Sequence, residues 1–242
     1  MTVLVLGATG ATGRLLVEQL LNRGHQVRVI VRSRDRLPEA VINHPDVTIV
    51  EASLLELSHE ELGQHVTGCE GVACCLGHNL TFKGLFGHPM RLVTEATRRI
   101  CQAIEQSKPE KRVKYVLMNT AGNQNRDLDE TATFANRFVV GLLRWTLPPH
   151  VDNEQASDVL RQEIGKNNPS LSWAVVRPDS LVDRAETSAY DIHPSPTRDP
   201  IFNAGTTNRI NVAHFMADLI TNDAIWGKWV GQMPVIYSHE AK

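Results

Sequence analysis

Residues 3–13 read Val3-Leu4-Val5-Leu6-Gly7-Ala8-Thr9-Gly10-Ala11-Thr12-Gly13, and this stretch decides how the rest of the chain is read. Four apolar residues without a polar break indicate a buried parallel strand. Leu15, Leu16, Leu20 and Leu21 then recur at helical spacing. Glycines at 7, 10 and 13 let the backbone turn tightly, approach a pyrophosphate closely and pack the new helix against the strand. The free N–H groups and positive dipole end of that helix face the phosphate charge. A second strand at Val27–Val31 completes the context such a motif requires. The stretch therefore predicts a dinucleotide site.

The 242 residues, 42% of them hydrophobic, suffice for one well-buried α/β domain and are few for two. A net charge of -2 gives no electrostatic case for nucleic acid or an anionic membrane as partner. No apolar run reaches the roughly 18 to 20 residues that span a bilayer. With the first strand starting at residue 2 or 3, no secretory signal fits ahead of it, so a cytoplasmic location is expected. Cys69, Cys74, Cys75 and Cys101 show no CxxC or zinc-ligand spacing and read as buried, reduced thiols. As strand neighbours, Cys74 and Cys75 should point to opposite sheet faces. No metal site is expected: His59-Glu60-Glu61-Leu62-Gly63 begins like a zinc-protease helix but has Gly where the second His belongs.

Strand-like and helix-like segments alternate along the chain, the pattern of a parallel sheet covered on both faces. Further strands are expected at Val47–Val50, Gly71–Leu76, Val113–Met118, Trp173–Val176 and Met233–Tyr237. Helices are expected at Leu92–Gln106, with Val93, Ala96, Ile100, Ala103 and Ile104 on one side, at Thr131–Thr146, Asn153–Gly165 and Val212–Ile220. Asp179–Thr207, with Pro194, Pro196 and Pro200, reads as an extended loop region. The fold class is thus a Rossmann-type doubly wound parallel sheet. Residues 1–242 form a single domain, with 179–207 and the C-terminal segments as a small substrate-side cap.

NAD-selective sites place an Asp or Glu near the end of the second strand. Here that strand runs into Arg32-Ser33-Arg34-Asp35-Arg36. Arginine offers a 2′-phosphate charge-assisted, fork-shaped hydrogen bonds and cannot do the acidic residue's work. NADP is expected over NAD, with Arg32, Ser33 and Arg36 as the candidate residues. Asp35, within the cationic run, is read as tempering its neighbours.

With these motifs in place the chain resembles the atypical short-chain dehydrogenase/reductases, in particular the NmrA-like NAD(P)H-binding group that includes flavin and biliverdin-IXβ reductases. The likeness covers nearly the whole chain. It rests on Gly7–Gly13, Val31-Arg32 with Arg36-Leu37, Cys75-Leu76-Gly77, Asn119-Thr120-Ala121, Asp158-Val159-Leu160-Arg161 and Val176-Arg177-Pro178. The resemblance implies that Thr9, Gly10, Ala11 and Thr12 hold the pyrophosphate. It assigns Arg32 and Arg36 to the adenosine phosphate, Gly77 to the adjoining ribose, and the turn from Pro178 to Leu181 to the nicotinamide. Asn119 would fix the loop beside the cofactor. Where the group commonly has an Asp after the third strand for adenine, this chain has Glu51-Ala52-Ser53, leaving the Ser53 hydroxyl or backbone contacts.

The Tyr-x-x-x-Lys pair of typical short-chain dehydrogenases is missing. Four residues beyond the three tyrosines, Tyr115, Tyr190 and Tyr237, stand Asn119, Pro194 and Ala241. His150 and Glu154 occupy roughly the two positions. Thr120 replaces the usual Ser and could orient a carbonyl, or could bond its own backbone. His150, read as preceding a helix at Asn153 and directed by Pro148-Pro149, is the candidate proton donor, with His78 the next choice. The face formed by Phe134, Phe138, Val139, Leu142, Leu143 and Trp145 reads as core or dimer surface, and Trp226 and Trp229 as packing residues.

The leading expectation is an NADP-dependent oxidoreductase that reduces a small carbonyl, quinone or flavin-like acceptor. The alternative is an NmrA-like protein that senses NADP(H) without turnover, through a regulatory protein partner. A nucleotide-sugar epimerase ranks third, because such enzymes use Tyr/Lys and a larger C-terminal domain.

Overall fold

The computed structural model describes residues 1–77, 91–128, 130, 148–199 and 203–239, with the backbone alone for 148–150. β1 (Thr2–Leu6), β2 (Gln26–Val31), β3 (Val47–Glu51), β4 (Gly71–Cys74), β5 (Val113–Met118), β6 (Leu171–Pro178), β8 (Tyr190–His193) and β10 (Val235–Ser238) form one sheet. Its order is β3-β2-β1-β4-β5-β6-β10-β8, parallel throughout except for the antiparallel edge strand β8. The fold is a Rossmann-like α/β single domain.

The unbroken apolar run of β1 has the physical reason anticipated for it. Val3 and Val5 belong to the core on one face of the sheet and Leu4 and Leu6 to the core on the other, all fully buried. Each such side chain contributes about 1.5–3 kcal/mol. α1 (Ala11–Asn22) and α6 (Arg209–Thr221) cover the first face, with Trp226 and Trp229 of α7 (Asp223–Trp229) packed beside them. α3 (His59–Val66), α4 (Leu92–Ser107) and α5 (Pro148–Asp158) cover the second. The short α2 (Glu39–Ile42) lies before β3. Val93, Ala96, Ile100, Ala103 and Ile104 are the buried side of α4, as its periodicity requires. Cys74 and Cys75 enter opposite cores, and all four cysteines are buried and free. Among the described residues no helix is long and apolar enough to cross a membrane.

Several boundaries differ from the sequence reading. β4 stops at Cys74, two residues early, while β6 extends two residues beyond each end of the expected strand. β10 starts after Pro234, whose missing N–H suits a position outside the ladder. α5 is described over Pro148–Asp158. His150 is therefore inside the helix and does not precede it. From Val159 to Ile164 the helix continues as a π-helix, ending at Gly165 with φ +70°. The His59-Glu60-Glu61 stretch proves to be a helix start: Ser58 Oγ accepts from Glu61 N–H at 3.2 Å, and Glu61 accepts from Ser58 N–H at 2.7 Å. Those bonds hold the Glu61 carboxyl below its usual range.

The segment 179–207 is more ordered than an extended loop. β7 (Ser180–Val182) pairs in parallel with β9 (Thr206–Asn208), and β8 joins the main sheet. The expected helix at Thr131–Thr146 and the apolar face Phe134–Trp145 lie outside the described residues.

One buried cation ties these outer segments to the sheet. Arg177 of β6 is fully buried and donates to the carbonyls of Met233 (2.6 Å), Asn123 (2.8 Å) and Pro194 (3.2 Å). It also pairs with both carboxylate oxygens of Glu130, at 3.0 and 2.7 Å. A guanidinium taken out of water this completely persists only because its donors are all met. Replacing Glu130→Ala leaves that charge buried and unpaired. A loss of about 3–5 kcal/mol is expected in denaturant unfolding, largely restored in Arg177→Met/Glu130→Leu, where both charges are gone.

Candidate dinucleotide site

The site starts where β1 ends. Gly7 has φ +77°, a backbone conformation glycine adopts without strain. A Cβ on it would lie 2.6 Å from the backbone carbonyl of Cys75, so the missing side chain sets the ends of β1 and β4 flush together. These strands flank the point where chain order reverses, the crevice in which open α/β sheets bind ligands. Gly10 donates its N–H to the Gly7 carbonyl at 2.9 Å. A Cβ on Gly13 would stand 2.2 Å from that same oxygen. Gly13 is thus the packing contact between α1 and the turn.

α1 begins at Ala11 with Gly10 as its N-cap, without a side-chain cap and without an acidic residue in the first turn. Its first N–H groups lack helical partners and its positive dipole end is uncompensated. Gly7, Thr9 and Gly10 line a cavity of about 190 Å³ beside it. Ala11, Thr12 and Gly13 do not line it; the Thr12 side chain is buried, so the N–H groups are what this turn offers a phosphate.

Arg32 and Arg36 reach the same cavity from the end of β2. The chain after Ser33 makes a single 3-10 turn, Arg34–Arg36, held by buried Leu37, whose N–H donates to Arg34 O at 2.9 Å. That turn brings Arg36 alongside Arg32 and leaves Ser33, Arg34 and Asp35 off the lining. Among the described residues neither the Arg32 nor the Arg36 side chain has a hydrogen bond or ion pair, and Asp35 forms none with them. The tempering role expected of Asp35 is not visible as a contact. Among the described residues, no carboxylate lines the cavity; Glu51 stands outside it.

Ser53 lines it from the end of β3. Ala52 N–H bonds Val31 O at 2.8 Å, prolonging the pairing of β2 and β3 just far enough to present Ser53. Gly77 completes the wall after β4, and among the described residues a Cβ there would meet nothing within 4 Å. The described packing makes no steric demand for glycine at 77, whereas it does at 7 and 13.

Further along the carboxyl edge, at β5 and β6, the polar residues serve the protein itself. Asn119 is buried; it accepts from Thr120 N–H at 2.9 Å and donates to Asn153 O at 2.8 Å. Thr120 Oγ1 accepts from Gly122 N–H at 3.3 Å, the self-bonding alternative, and among the described residues its own hydroxyl proton has no acceptor. Asn123 donates to Ser157 Oγ at 2.7 Å. Pro178 is buried and holds Ala121 N–H through its carbonyl at 2.8 Å, away from the cavity lining. Asp179 accepts from Gly205 N–H at 2.8 Å, and burial pushes its carboxyl above the usual range. The His150 side chain and all of His78 lie outside the described residues.

Two structural groups escaped the sequence reading. Asp152 of α5 is buried and caps α4, accepting from Val93 N–H at 2.8 Å and Thr94 N–H at 2.9 Å. The available signal was negative: Arg91, before α4, cannot cap a helix. Arg177 is the other, quoted within a motif but given no task.

The pattern that defines the NAD(P)H-binding family matches residues 7–223. The chain belongs to that family. The chain is 27% identical over 198 residues to an uncharacterized chloroplastic protein of Arabidopsis thaliana, covering 81% of this chain and 64% of that one. It therefore spans less than two thirds of the length of this curated relative. Its structure resembles a Veillonella parvula short-chain dehydrogenase/reductase solved with NADP, with TM-score 0.70, 20% identity and coverage of 98% and 94% of the two chains. It also resembles ChuY, an anaerobilin reductase of Escherichia coli O157:H7, with TM-score 0.69, 15% identity and coverage of 100% and 99%. Both likenesses are of fold.

The glycines separate fold from ligand in a direct test. Gly13→Ala is expected to lower stability by about 1–3 kcal/mol, because the new methyl overpacks the turn. Gly77→Val should keep the unfolding free energy within about 0.5 kcal/mol while weakening NADPH binding at least tenfold in a fluorescence titration.

Proposed function

We propose that this protein is an NADP-dependent oxidoreductase that passes a hydride to a small carbonyl, quinone or flavin-like acceptor without a Tyr/Lys pair. The observation that carries the cofactor preference is the unpaired Arg32 and Arg36 on a cavity that, among the described residues, no carboxylate lines. An adenosine 2′-phosphate would meet two forks and no repulsion, whereas NAD would find no acidic partner for its ribose hydroxyls. In this reading the N–H groups of Ala11 and Thr12 take the pyrophosphate, Ser33 supports the arginine turn, Ser53 meets the adenine and Gly77 leaves room for a ribose. Asn119 and Pro178 hold the β5 and β6 ends that floor the nicotinamide side, and β7–β9 form the substrate-side cap.

When bound, NADPH supplies the hydride. The chain supplies orientation and a hydroxyl. Tyr115 is fully buried and donates to Thr97 Oγ1 at 3.2 Å; Tyr190 pairs with His214 Nδ1 at 2.9 Å. Neither is placed to act as the acid of a Tyr/Lys site. Thr120 can direct its hydroxyl proton to an acceptor oxygen, and His150 is the candidate donor on α5. An acceptor whose reduced form takes its proton from water fits such a site.

The second reading, an NADP(H)-sensing protein without turnover, is favoured by the bonds that engage Asn119, Asn123 and Ser157 within the protein. Stopped-flow NADPH oxidation against quinones, flavins and aldehydes separates the two. Turnover with at least one acceptor class supports the enzyme; tight NADPH binding with none supports the sensor. For the cofactor, Arg32→Ala/Arg36→Ala should weaken NADPH at least tenfold, about 1.4 kcal/mol, and leave NADH within about twofold. An unchanged NADPH:NADH ratio would overturn the phosphate assignment.

A further inference from the structure

We propose a second ligand site at the amino-terminal edge of the sheet, for a small organic anion carrying phosphate or carboxylate groups. A groove of about 870 Å³ lies there, between the turn from Val66 to Glu70, the connection from Ser107 to Arg112 and the end of α6. Small-molecule sites occupy about 300–1,000 Å³. It shares no lining residue with the dinucleotide cavity, so the proposal stands apart from the NADP reading.

The charges are unevenly spent. Lys114 Nζ is committed to Asp223 Oδ1 at 2.7 Å and Ile220 O at 2.9 Å, and lies 5.6 Å from the Trp226 ring. Lys108, Lys111 and Arg112 also line the groove, and their side chains have no hydrogen bond or ion pair among the described residues. Lys111 acts on Asp223 only through longer-range attraction. Of the lining carboxylates, Glu110 alone is without an ion pair among the described residues. A protein of net charge -2 thus turns locally cationic here.

The donors narrow the ligand further. Thr67, Ser107 and Thr221 spend their hydroxyl protons on the carbonyls of Gly63, Ile104 and Ala217, at 2.7, 2.8 and 2.9 Å. Side-chain donors free for a ligand are therefore the cations, which call for an acceptor-rich, negatively charged group. The floor of Val66, Cys69 and Ile220 is buried and apolar, and would hold a hydrophobic body attached to that group.

Calorimetric titration with phenyl phosphate and inorganic phosphate, each with saturating NADPH, tests this. Saturable binding of phenyl phosphate at least several-fold tighter than phosphate is expected. Lys111→Glu/Arg112→Glu, both at exposed positions, should weaken it at least tenfold and leave NADPH affinity unchanged. Binding that disappears when NADPH is present, that ignores the phenyl group, or that survives the charge reversal overturns the proposal. Because Arg32→Ala/Arg36→Ala should not alter phenyl phosphate binding, failure of the NADP assignment and failure of this site are read separately.

Discussion

Everything at the carboxyl edge of this sheet depends on how closely the backbone passes itself at Gly7. The Gly7 carbonyl accepts from Gly10 N–H and sits where any side chain on Gly13 would collide, and a side chain on Gly7 itself would strike the Cys75 backbone that closes the other wall. Three segments therefore converge at a point with no room for a methyl group. The convergence starts α1 beside the reversal in strand order, with its first N–H groups lacking helical partners. The strand ends, the turn and the candidate cavity are consequences of one steric constraint.

Charge acts differently at the two ends of the crevice. At the β2 end, Arg32 and Arg36 are exposed and their side chains are uncommitted among the described residues, so an anion reaching them would compete with water and not with a described carboxylate. At the β6 end, Arg177 is fully buried and wholly committed to Glu130 and three carbonyls. The first arrangement suits binding; the second holds the loops beyond β5 and β8 against the sheet. A similar economy of polar groups appears at Asp152, which stabilises a helix start from another element.

Much of this was legible in the sequence. The run Val3–Leu6 announced a strand buried on both faces, the glycine spacing announced the turn, and the α4 periodicity named its buried side. Arg32 and Arg36 were legible as cationic residues after β2, though the 3-10 turn that aligns them depends on Leu37 reaching the core. What could not be read were contacts between distant segments. β7 and β9 are three-residue strands that exist only because they meet each other, and Asp152 caps a helix about sixty residues away. The helix was expected to start at Asn153, after Pro148-Pro149, because proline's local preference is against a helix interior, yet both prolines lie in α5. The acceptor was not legible, since the loops that would select it carry no fixed chemical pattern.

We propose that one turn and two arginines together hold a phosphorylated dinucleotide. A crystal structure of the complex with NADP is the decisive measurement. The pyrophosphate is expected against the N–H groups at the start of α1, and the 2′-phosphate within ion-pair distance of both Arg32 and Arg36. A 2′-phosphate turned into solvent, or a dinucleotide bound away from the Gly7 turn, would contradict it.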